Sequence, residues 1–272
     1  MTQTAERPLA LIGAGKMGGA MLEGWVKRGA DPRSIVVVDP KPAPEMSDLL
    51  ARHGIGHETA LSASCKPGIL LLAIKPQLME RVLPTLTPSV LPDTLVLSIA
   101  AGTTVATLGS AFGDVPIVRV MPNTPAQVGR GMSVAYANDK VVDEQRREVD
   151  LLLSAIGMVA WADAEDQMDA VTAVSGSGPA YVFHLVEALA AAGVKAGLPA
   201  ELARVIARQT VVGAGELLHQ SELDAGTLRE NVTSPNGTTA AALSVLMAPD
   251  GLGALMEKAV AAATRRSREL AG

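Results

Sequence analysis

The chain has few of the residues on which several classes of protein depend. Its 272 residues include one cysteine, four histidines and only 2% aromatic residues. A single cysteine, Cys65, rules out a disulfide within the chain, and the histidines fall in no metal-ligand spacing, so we expect no metal site. No apolar run reaches membrane-spanning length without a charge or a glycine. These absences predict a cytoplasmic protein that binds neither a metal nor a membrane.

Positive charge is also in short supply. The chain carries 23 Lys and Arg against 28 Asp and Glu, for a net charge of −5, and no segment forms a basic patch. We therefore expect no nucleic acid partner. With 48% apolar and 19% charged residues, the chain has the composition of a globular protein long enough for two domains.

A glycine-rich stretch near the start is the most informative segment. An apolar run at 9–12 is followed at once by Gly13, Gly15 and Gly18, and a helical apolar pattern comes next. A strand, a G-x-G-x-x-G turn and a helix form a cradle for a dinucleotide pyrophosphate. Asp39 ends the second predicted strand, 21 residues after Gly18, where an acidic residue binds the adenosine ribose.

The rest of the first half alternates strands and helices, as in a parallel sheet with crossover helices. The predicted strands are 9–12, 34–38, 68–74, 94–99, 115–120, 131–136 and 157–161, with helices at 45–53, from Thr103, and at 143–153. Unusual residues follow several strands, at 13–18, 39, 73–76, 100–102 and 121–125. Because ligands of such sheets bind at the carboxyl ends of the strands, these segments are expected to converge on one crevice.

From about residue 163 the strand patterns give way to helices. Helices are predicted at 179–194, 200–219, 225–230, 240–247 and 252–270. The first is apolar nearly all round, so we expect it to be buried, with His184 as a core histidine. The alanine-rich second half is expected to need a large interface between subunits. We predict a mostly parallel, doubly wound Rossmann domain at 1–162 and an all-α domain at 163–272.

Two segments of the second half combine hydroxyls, glycine and proline at helix starts: SGSGPAYVF at 175–183 and TSPNGTT at 233–239. Free N–H groups at a helix start can bind a carboxylate. Each segment taken singly is better explained as a helix cap, because Ser and Thr are preferred there. Beside a dinucleotide site, a substrate carboxylate becomes the sharper interpretation.

Six motifs together identify a family. GAGKMG at 13–18, AIKP at 73–76, MPNTPAQVG at 121–129, DAVTAVSGSGPAYVF at 169–183, AGVKAGLP at 192–199 and VTSPNGTT at 232–239 resemble pyrroline-5-carboxylate reductases. The similarity extends from Leu9 to Leu270.

The resemblance implies an oxidoreductase that transfers hydride from NADPH or NADH to the C=N carbon of 1-pyrroline-5-carboxylate, giving L-proline in the last step of its biosynthesis. It also implies a homodimer interlocked through the C-terminal helices, with a higher oligomer of dimers left open. The cofactor contacts that it implies, together with those of the glycine turn, are Gly13, Gly15, Lys16, Met17, Gly18, Asp39, Ala73, Lys75, Pro76, Ala100, Asn123 and, across the subunit boundary, Asn231.

For the substrate, the resemblance implies that backbone N–H groups at Gly237 and Thr238 hold the carboxylate. Thr239 is the implied catalytic residue, orienting the ring nitrogen because a hydroxyl is too weak an acid to be the main proton source. The full implied substrate set is Glu165, Ser177, Gly178, Ser234, Asn236, Gly237, Thr238 and Thr239.

Three residues depart from the family pattern. Lys16 stands where Asn is common, and a lysine there still suits phosphates. Asn236 replaces the first glycine of a usual P-G-G, and asparagine tolerates left-handed backbone better than most residues. Asp39 favours a free ribose 2′-hydroxyl and so NADH, while Lys41 partly offsets it; the cofactor preference stays open.

Other functions remain as alternatives. The chain could reduce a related cyclic imine. It could be a β-hydroxyacid dehydrogenase, for which Lys195 is the only plausible catalytic lysine, although AGVKAGLP is a reductase context. A dinucleotide-sensing protein without catalysis is a third possibility, against which the hydroxyl-rich TSPNGTT loop argues.

Overall fold

The computed structural model describes residues 3–271, with Ala271 described by its backbone alone. These residues form two compact units. The first contains residues 3–176 and 263–271, and the second contains residues 177–262.

The first unit is built on one eight-stranded sheet with the order β3-β2-β1-β4-β5-β6-β7-β8. All neighbours pair in parallel except β6 and β7, which are antiparallel. The strands are β1 (Leu9–Ile12), β2 (Ile35–Val38), β3 (Gly56–Glu58), β4 (Ile69–Leu72), β5 (Leu95–Ser98), β6 (Ile117–Met121), β7 (Gly131–Ala137) and β8 (Gly157–Trp161). The mostly parallel, doubly wound Rossmann sheet expected from the sequence is therefore confirmed.

Six helices accompany these strands: α1 (Lys16–Lys27), α2 (Pro44–His53), α3 (Met79–Leu86), α4 (Val105–Phe112), α5 (Asp143–Ser154) and α6 (Met168–Val171). Alternate residues of the central strands enter two separate apolar cores, one on each face of the sheet. Leu9 and Leu71 belong to one core, and Ala10 and Leu70 belong to the other. A strand covered on both faces is apolar at every position, which explains the continuous runs IVVV and ILLL.

Several predicted boundaries were wrong by one or two residues. Ser34 was assigned to a strand but lies in a 3₁₀ turn, Pro32–Ser34, where its hydroxyl donates to the Asp31 carbonyl. The helix predicted from Thr103 begins at Val105, because Thr104 is its N-cap and accepts from the Thr107 N–H at 3.1 Å. The sequence analysis missed β3, which has three residues and no apolar run.

The first unit continues beyond residue 162, the expected domain boundary. The last strand does end at Trp161, where the composition changes. However, Met168 and Ala173 are fully buried in the segment that follows, which contains α6 and a π-helical turn, Thr172–Gly176. The Ser267 hydroxyl donates to Asp169 Oδ1 at 2.7 Å and joins this segment to the end of the chain. For this reason the compact units divide at 176/177 rather than at 162/163.

The second unit is helical, as expected. It contains α7 (Gly178–Lys195), α8 (Ala200–Gln220), α9 (Ala225–Asn231), α10 (Thr238–Leu246) and the first part of α11 (Leu252–Ala271). Small residues let α7 and α8 approach closely, since a Cβ built on Gly193 would lie 3.3 Å from Ala203 Cβ. Ala203 and Ala207 are the buried α8 residues.

The burial expected for α7 is not found within the chain. None of its residues is buried, Phe183 is 64% exposed, and His184 is an exposed residue whose Nδ1 lies 3.2 Å from Glu187 Oε2. His184 is therefore not a core histidine. The unit exposes large apolar side chains on every one of its long helices, and they include Val182, Leu189, Val205, Val212, Leu217, Val245 and Leu255.

Candidate functional site

The glycine turn between β1 and α1 has the shape of a phosphate cradle. Gly13 has a φ of 94°, and a Cβ there would lie 2.8 Å from the Ala73 carbonyl oxygen. A Cβ on Gly18 would overlap the Gly13 carbonyl, so both positions require glycine. At Gly15, by contrast, no atom lies within 4 Å of the Cβ position. The space in front of Gly15 is therefore open, as a bound pyrophosphate requires.

The start of α1 suits an anion. Gly15 is the N-cap and makes no side-chain cap, and the first turn contains no acidic residue. The first-turn N–H groups have no acceptor within the helix and face outward with the positive end of the helix dipole. Lys16, the first helical residue, is exposed and adds a positive charge. These features fit the diphosphate of a dinucleotide.

Asp39 stands beside this turn at the end of β2. Its Oδ2 accepts from the Ala14 N–H at 2.8 Å, and its Oδ1 accepts from the Lys41 N–H at 2.9 Å. His57 Nε2 lies 2.9 Å from the Asp39 carbonyl oxygen. The carboxylate of Asp39 thus joins the glycine turn to the loop after β2 through hydrogen bonds.

A cleft of about 660 Å³ opens between the glycine turn and the loop after β2. Three of the expected cofactor residues line it: Gly15, Lys16 and Asp39. Its other lining residues are Ala14, Gly19, Ala20, Glu23, Lys41, Pro42, Ala43, Pro44, Glu45, Met46 and Gln127. Sequence reasoning missed Gln127, although it falls within the MPNTPAQVG motif.

The other expected cofactor residues of the first unit follow neighbouring strands. Ala73 comes after β4, and its N–H donates to the Ile12 carbonyl at 2.8 Å. Lys75 and Pro76 begin the next turn, where both are exposed, and Ala100 is buried after β5. Because β1, β4 and β5 are adjacent and parallel, these loops lie at the same edge of the sheet. Met17 packs on the core from α1.

Asn123 is engaged by the protein itself. Its Oδ1 accepts from the Met132 N–H at 2.9 Å, and its Nδ2 donates to the carbonyl and the hydroxyl of Ser175, both at 3.3 Å. The side chain therefore connects the end of β6 to β7 and to the π-helical turn. Sequence reasoning did not identify this role, because no local pattern indicates that Asn123 bonds to Met132, nine positions on, and to Ser175, 52 positions on.

Glu165 forms a partly buried ion pair with Arg119. Its Oε1 accepts from Arg119 Nη1 at 3.0 Å and from the Val105 N–H at 2.8 Å, at the start of α4. Arg119 is only 5% exposed. The glutamate thus connects strand β6, through Arg119, to the start of α4, which follows the loop containing Ala100. The sequence did contain one indication of this pair: Arg119 is the only charged residue in the apolar strand IVRVM, so its side chain needs an acidic partner.

In the helical unit, five expected substrate residues form one continuous loop and helix start. The Gly237 N–H donates to the Ser234 carbonyl at 3.0 Å and closes a tight turn. Asn236 adopts the left-handed conformation, with a φ of 59°. Thr238 and Thr239 are the first residues of α10, which has no side-chain cap and no acidic residue in its first turn.

The remaining expected residues of this unit lie elsewhere in the sequence. Ser177 is the N-cap of α7, Gly178 is its first residue, and Asn231 is the exposed last residue of α9. In the part of the chain that the structure describes, no hydrogen bond joins Ser177 or Gly178 to the 234–239 segment.

Two other kinds of chemistry find no support among residues 3–271. These residues contain no cluster of three or more His, Cys, Asp or Glu suited to a metal ion. Burial raises the pKa of the Cys65 thiol above its usual value, which is the opposite of what activates a nucleophile. The described residues also contain no helix that is both long and apolar enough to span a membrane.

Comparisons with known proteins agree with this geometry. Residues 165–270 match the family model described as pyrroline-5-carboxylate reductase dimerisation, and residues 8–102 match that of the coenzyme F420-dependent NADP oxidoreductases. A pyrroline-5-carboxylate reductase of Pseudomonas aeruginosa is 42% identical over 265 residues, covering 97% of this chain and 96% of the relative. One from Glycine max is 39% identical over 269 residues, covering 96% and 95% of the two chains.

Two solved structures resemble the whole chain. The pyrroline-5-carboxylate reductase of Coxiella burnetii is 33% identical, with a TM-score of 0.89, covering 98% of this chain and 99% of that one. The pyrroline carboxylate reductase of Plasmodium falciparum, solved with NADP bound, is 29% identical, with a TM-score of 0.79 and 98% of both chains covered.

Proposed function

The chain belongs to the pyrroline-5-carboxylate reductase family, and from this membership we propose that it reduces the C=N bond of 1-pyrroline-5-carboxylate to L-proline with NADPH or NADH, the last step of proline biosynthesis. One observation carries the proposal. The similarity covers the dinucleotide cradle and the 234–239 loop within a single alignment of 265 residues. A binding protein without catalysis has no need of the second feature.

The dinucleotide is assigned to the edge of the sheet where β1, β2, β4 and β5 end. The diphosphate lies on the first turn of α1, in the open space before Gly15. Asp39 takes the adenosine ribose, and the loops with Ala73 and Ala100 border the nicotinamide end. The other proposed cofactor residues are Gly13, Lys16, Met17, Gly18, Lys75, Pro76, Asn123 and Asn231.

The substrate is assigned to the start of α10. The Thr238 N–H lies at this helix start, where the helix dipole favours the substrate carboxylate, and the Gly237 backbone lies beside it with its N–H closing the turn onto Ser234. The left-handed conformation of Asn236 sets the direction of this segment, and Ser234, Ser177, Gly178 and Glu165 complete the proposed set.

The chemistry needs little from the side chains. When bound, the reduced nicotinamide supplies the hydride for the C=N carbon. A protonated imine already carries the activating proton, so the chain has only to position it. The Thr239 hydroxyl, which makes no hydrogen bond within residues 3–271, accepts from the ring nitrogen and holds the ring in one orientation.

The functional division that we propose follows the composition: residues 1–162 bind the dinucleotide, and residues 163–272 carry substrate binding and dimerisation. Residues 165–270 match a dimerisation model, and exposed apolar side chains on α7 and α8 support a large interface. We propose a homodimer whose C-terminal helices interlock, with Asn231 reaching the partner's cofactor. Association of dimers would build a higher oligomer on this unit.

The first test is the loss of nicotinamide absorbance when the protein is mixed with 1-pyrroline-5-carboxylate and either NADH or NADPH. We expect rapid oxidation that depends on the imine and forms L-proline. Turnover of other cyclic imines but not this one would indicate a related reductase. Oxidation of 3-hydroxy acids that is lost in Lys195→Ala would indicate a β-hydroxyacid dehydrogenase. Dinucleotide binding without any turnover would overturn the enzyme proposal.

A further inference from the structure

Arg119 in strand β6 is a buried charge for which the proposed reaction has no use. We propose that Arg119 is a positioning residue for the nicotinamide: through Glu165 it fixes the start of α4 and the 99–104 loop, which runs from β5 to α4. The inference rests on the proposed function, since it requires that this loop border the nicotinamide end of a bound cofactor.

Stability alone does not explain an arginine at this position of the sheet. Arg119 lies in the middle of β6, opposite Ser98 of β5 and Tyr136 of β7, and its side chain is only 6% exposed. Taking a guanidinium out of water costs free energy, and a buried ion pair often gives no more stability than apolar side chains of the same volume. An apolar residue would serve the strand as well, so we attribute the arginine to what its ion pair holds in place.

The partner of Arg119 holds the first turn of α4. Glu165 Oε1 accepts from Arg119 Nη1 at 3.0 Å and from the Val105 N–H at 2.8 Å. Val105 is the first residue of α4, where an N–H group has no acceptor within the helix. The positive end of the helix dipole also favours a negative charge at this place. One carboxylate oxygen therefore ties the start of α4 to strand β6.

The 99–104 loop is held at both ends and along its length. On the β5 side, the Ile99 N–H donates to the last carbonyl of β4 at 3.1 Å. Ala100 and Thr103 are buried, and Glu165 holds the residue of α4 that follows the loop. A loop fixed in this way presents a rigid surface at the carboxyl edge of the sheet. Such rigidity matters for hydride transfer, because a misplacement of about 1 Å can reduce a rate on the order of 100-fold.

Arg119 acts through Glu165 rather than by contact with the cofactor. The Arg119 side chain is almost wholly covered, whereas the Glu165 side chain is 27% exposed. The glutamate thus connects a buried charge to the surface. Because Oε1 makes both bonds, the substrate role proposed for Glu165 belongs to its other oxygen, Oε2.

Binding measurements without the imine test the inference apart from turnover and from any contact of Glu165 with substrate. The whole protein is titrated by calorimetry with NADPH and NADH, and with the counterparts that lack the nicotinamide, 2′-phosphorylated ADP-ribose and ADP-ribose. We expect the unaltered protein to bind each dinucleotide more tightly than its counterpart. Arg119→Met keeps a long side chain without the charge, and it should weaken binding of both dinucleotides by roughly 3- to 30-fold. Binding of the counterparts should stay nearly unchanged, because they do not reach the 99–104 loop.

Two further variants separate positioning from stability. Arg119→Lys retains a positive charge that can pair with Glu165, although without the planar fork, and it should recover part of the lost affinity. Asp114→Asn breaks the ion pair between Asp114 and Lys140, which lie 3.0 Å apart near the other end of β6, and it should leave all four dissociation constants unchanged. If Arg119→Met fails to fold, the double variant Arg119→Met/Glu165→Gln, which leaves no unpaired charge, replaces it in the same comparison.

The possible results are distinct. Unchanged dinucleotide binding in Arg119→Met, or an equal loss for the dinucleotides and their counterparts, would overturn the positioning role and leave the reductase proposal standing. Equal binding of dinucleotide and counterpart by the unaltered protein would do the same, because the loop would then make no contact that Arg119 could position. A loss confined to the dinucleotides, in a protein that does not turn over the imine, would support Arg119 and overturn the reaction. Binding of neither dinucleotide would overturn both.

Discussion

The backbone conformation of Asn236 could be anticipated from its residue type. Asn236 is the only non-glycine residue with a positive φ among residues 3–271. Sequence reasoning predicted that asparagine would tolerate this conformation, and the structure confirms it. Most partners of Asn123 and Glu165 could not be predicted in the same way, because Ser175, Arg119 and Val105 are 46 to 60 positions away.

Replacement of Asn236 should separate backbone strain from side-chain chemistry. Asn236→Ala places a Cβ-bearing residue without local hydrogen bonding in the left-handed region, at a cost of about 1 to 2 kcal/mol. We expect a higher KM for the imine, because the turn that aims the N–H groups relaxes. Asn236→Gly is the matched control and should keep the KM. Equal loss in both variants would mean that the amide itself contacts the substrate.

Thr239 should affect turnover rather than cofactor binding. Thr239→Ala removes the proposed orienting hydroxyl, and we expect kcat to fall by roughly 10- to 100-fold while the NADH dissociation constant stays constant. Thr239→Ser retains the hydroxyl and should recover most of the rate. Ser244→Ala, on the same helix, serves as the control, because its hydroxyl donates to the Ala241 carbonyl. Full activity of Thr239→Ala would disprove the assignment.

At the scale of elements, the sequence predicted every strand except β3. Strands β1, β2, β5, β7 and β8 were predicted to within one residue at each end, and β4 and β6 to within two. The error in β2 is Ser34, whose hydroxyl bonds to the Asp31 carbonyl in a 3₁₀ turn. The three-residue β3 left no periodic signal at all. The apolar composition of α7 predicted a covered helix, but composition does not say whether its own chain or a partner covers it, and none of its residues is buried within this chain.

Gly15 and Gly18 of the glycine turn should respond differently to replacement by alanine. Gly15→Ala adds a methyl group to open space, so folding should be preserved, but the methyl occupies the proposed pyrophosphate position. We expect an unchanged Tm and dinucleotide binding weakened by at least tenfold, measured by calorimetry. Gly18→Ala overlaps the Gly13 carbonyl and should instead lower the Tm by several degrees. Unimpaired binding by Gly15→Ala would place the diphosphate elsewhere.

At the scale of the whole molecule, the helical unit presents much apolar surface for a single chain. Val205 and Val212 are 57% and 56% exposed and lie two turns apart on one side of α8. We expect the pair Val205→Asp and Val212→Asp to shift a dimer to monomers or aggregates and to abolish activity, as measured by light scattering and the imine assay. Leu151→Asp, at a 58% exposed position on α5, should leave the dimer intact. A persistent, active dimer in the double variant would exclude this face of α8 from the interface.

The contact between Asp169 and Ser267 carries a consequence for the order of synthesis. The first unit leaves the chain at residue 176 and resumes at residue 263, so 86 residues of helical unit are translated between its two parts. On the ribosome, Asp169 emerges long before its hydroxyl partner does. The sheet can therefore assemble early, but this unit acquires its last segment, 263–271, only after the helical unit has been translated.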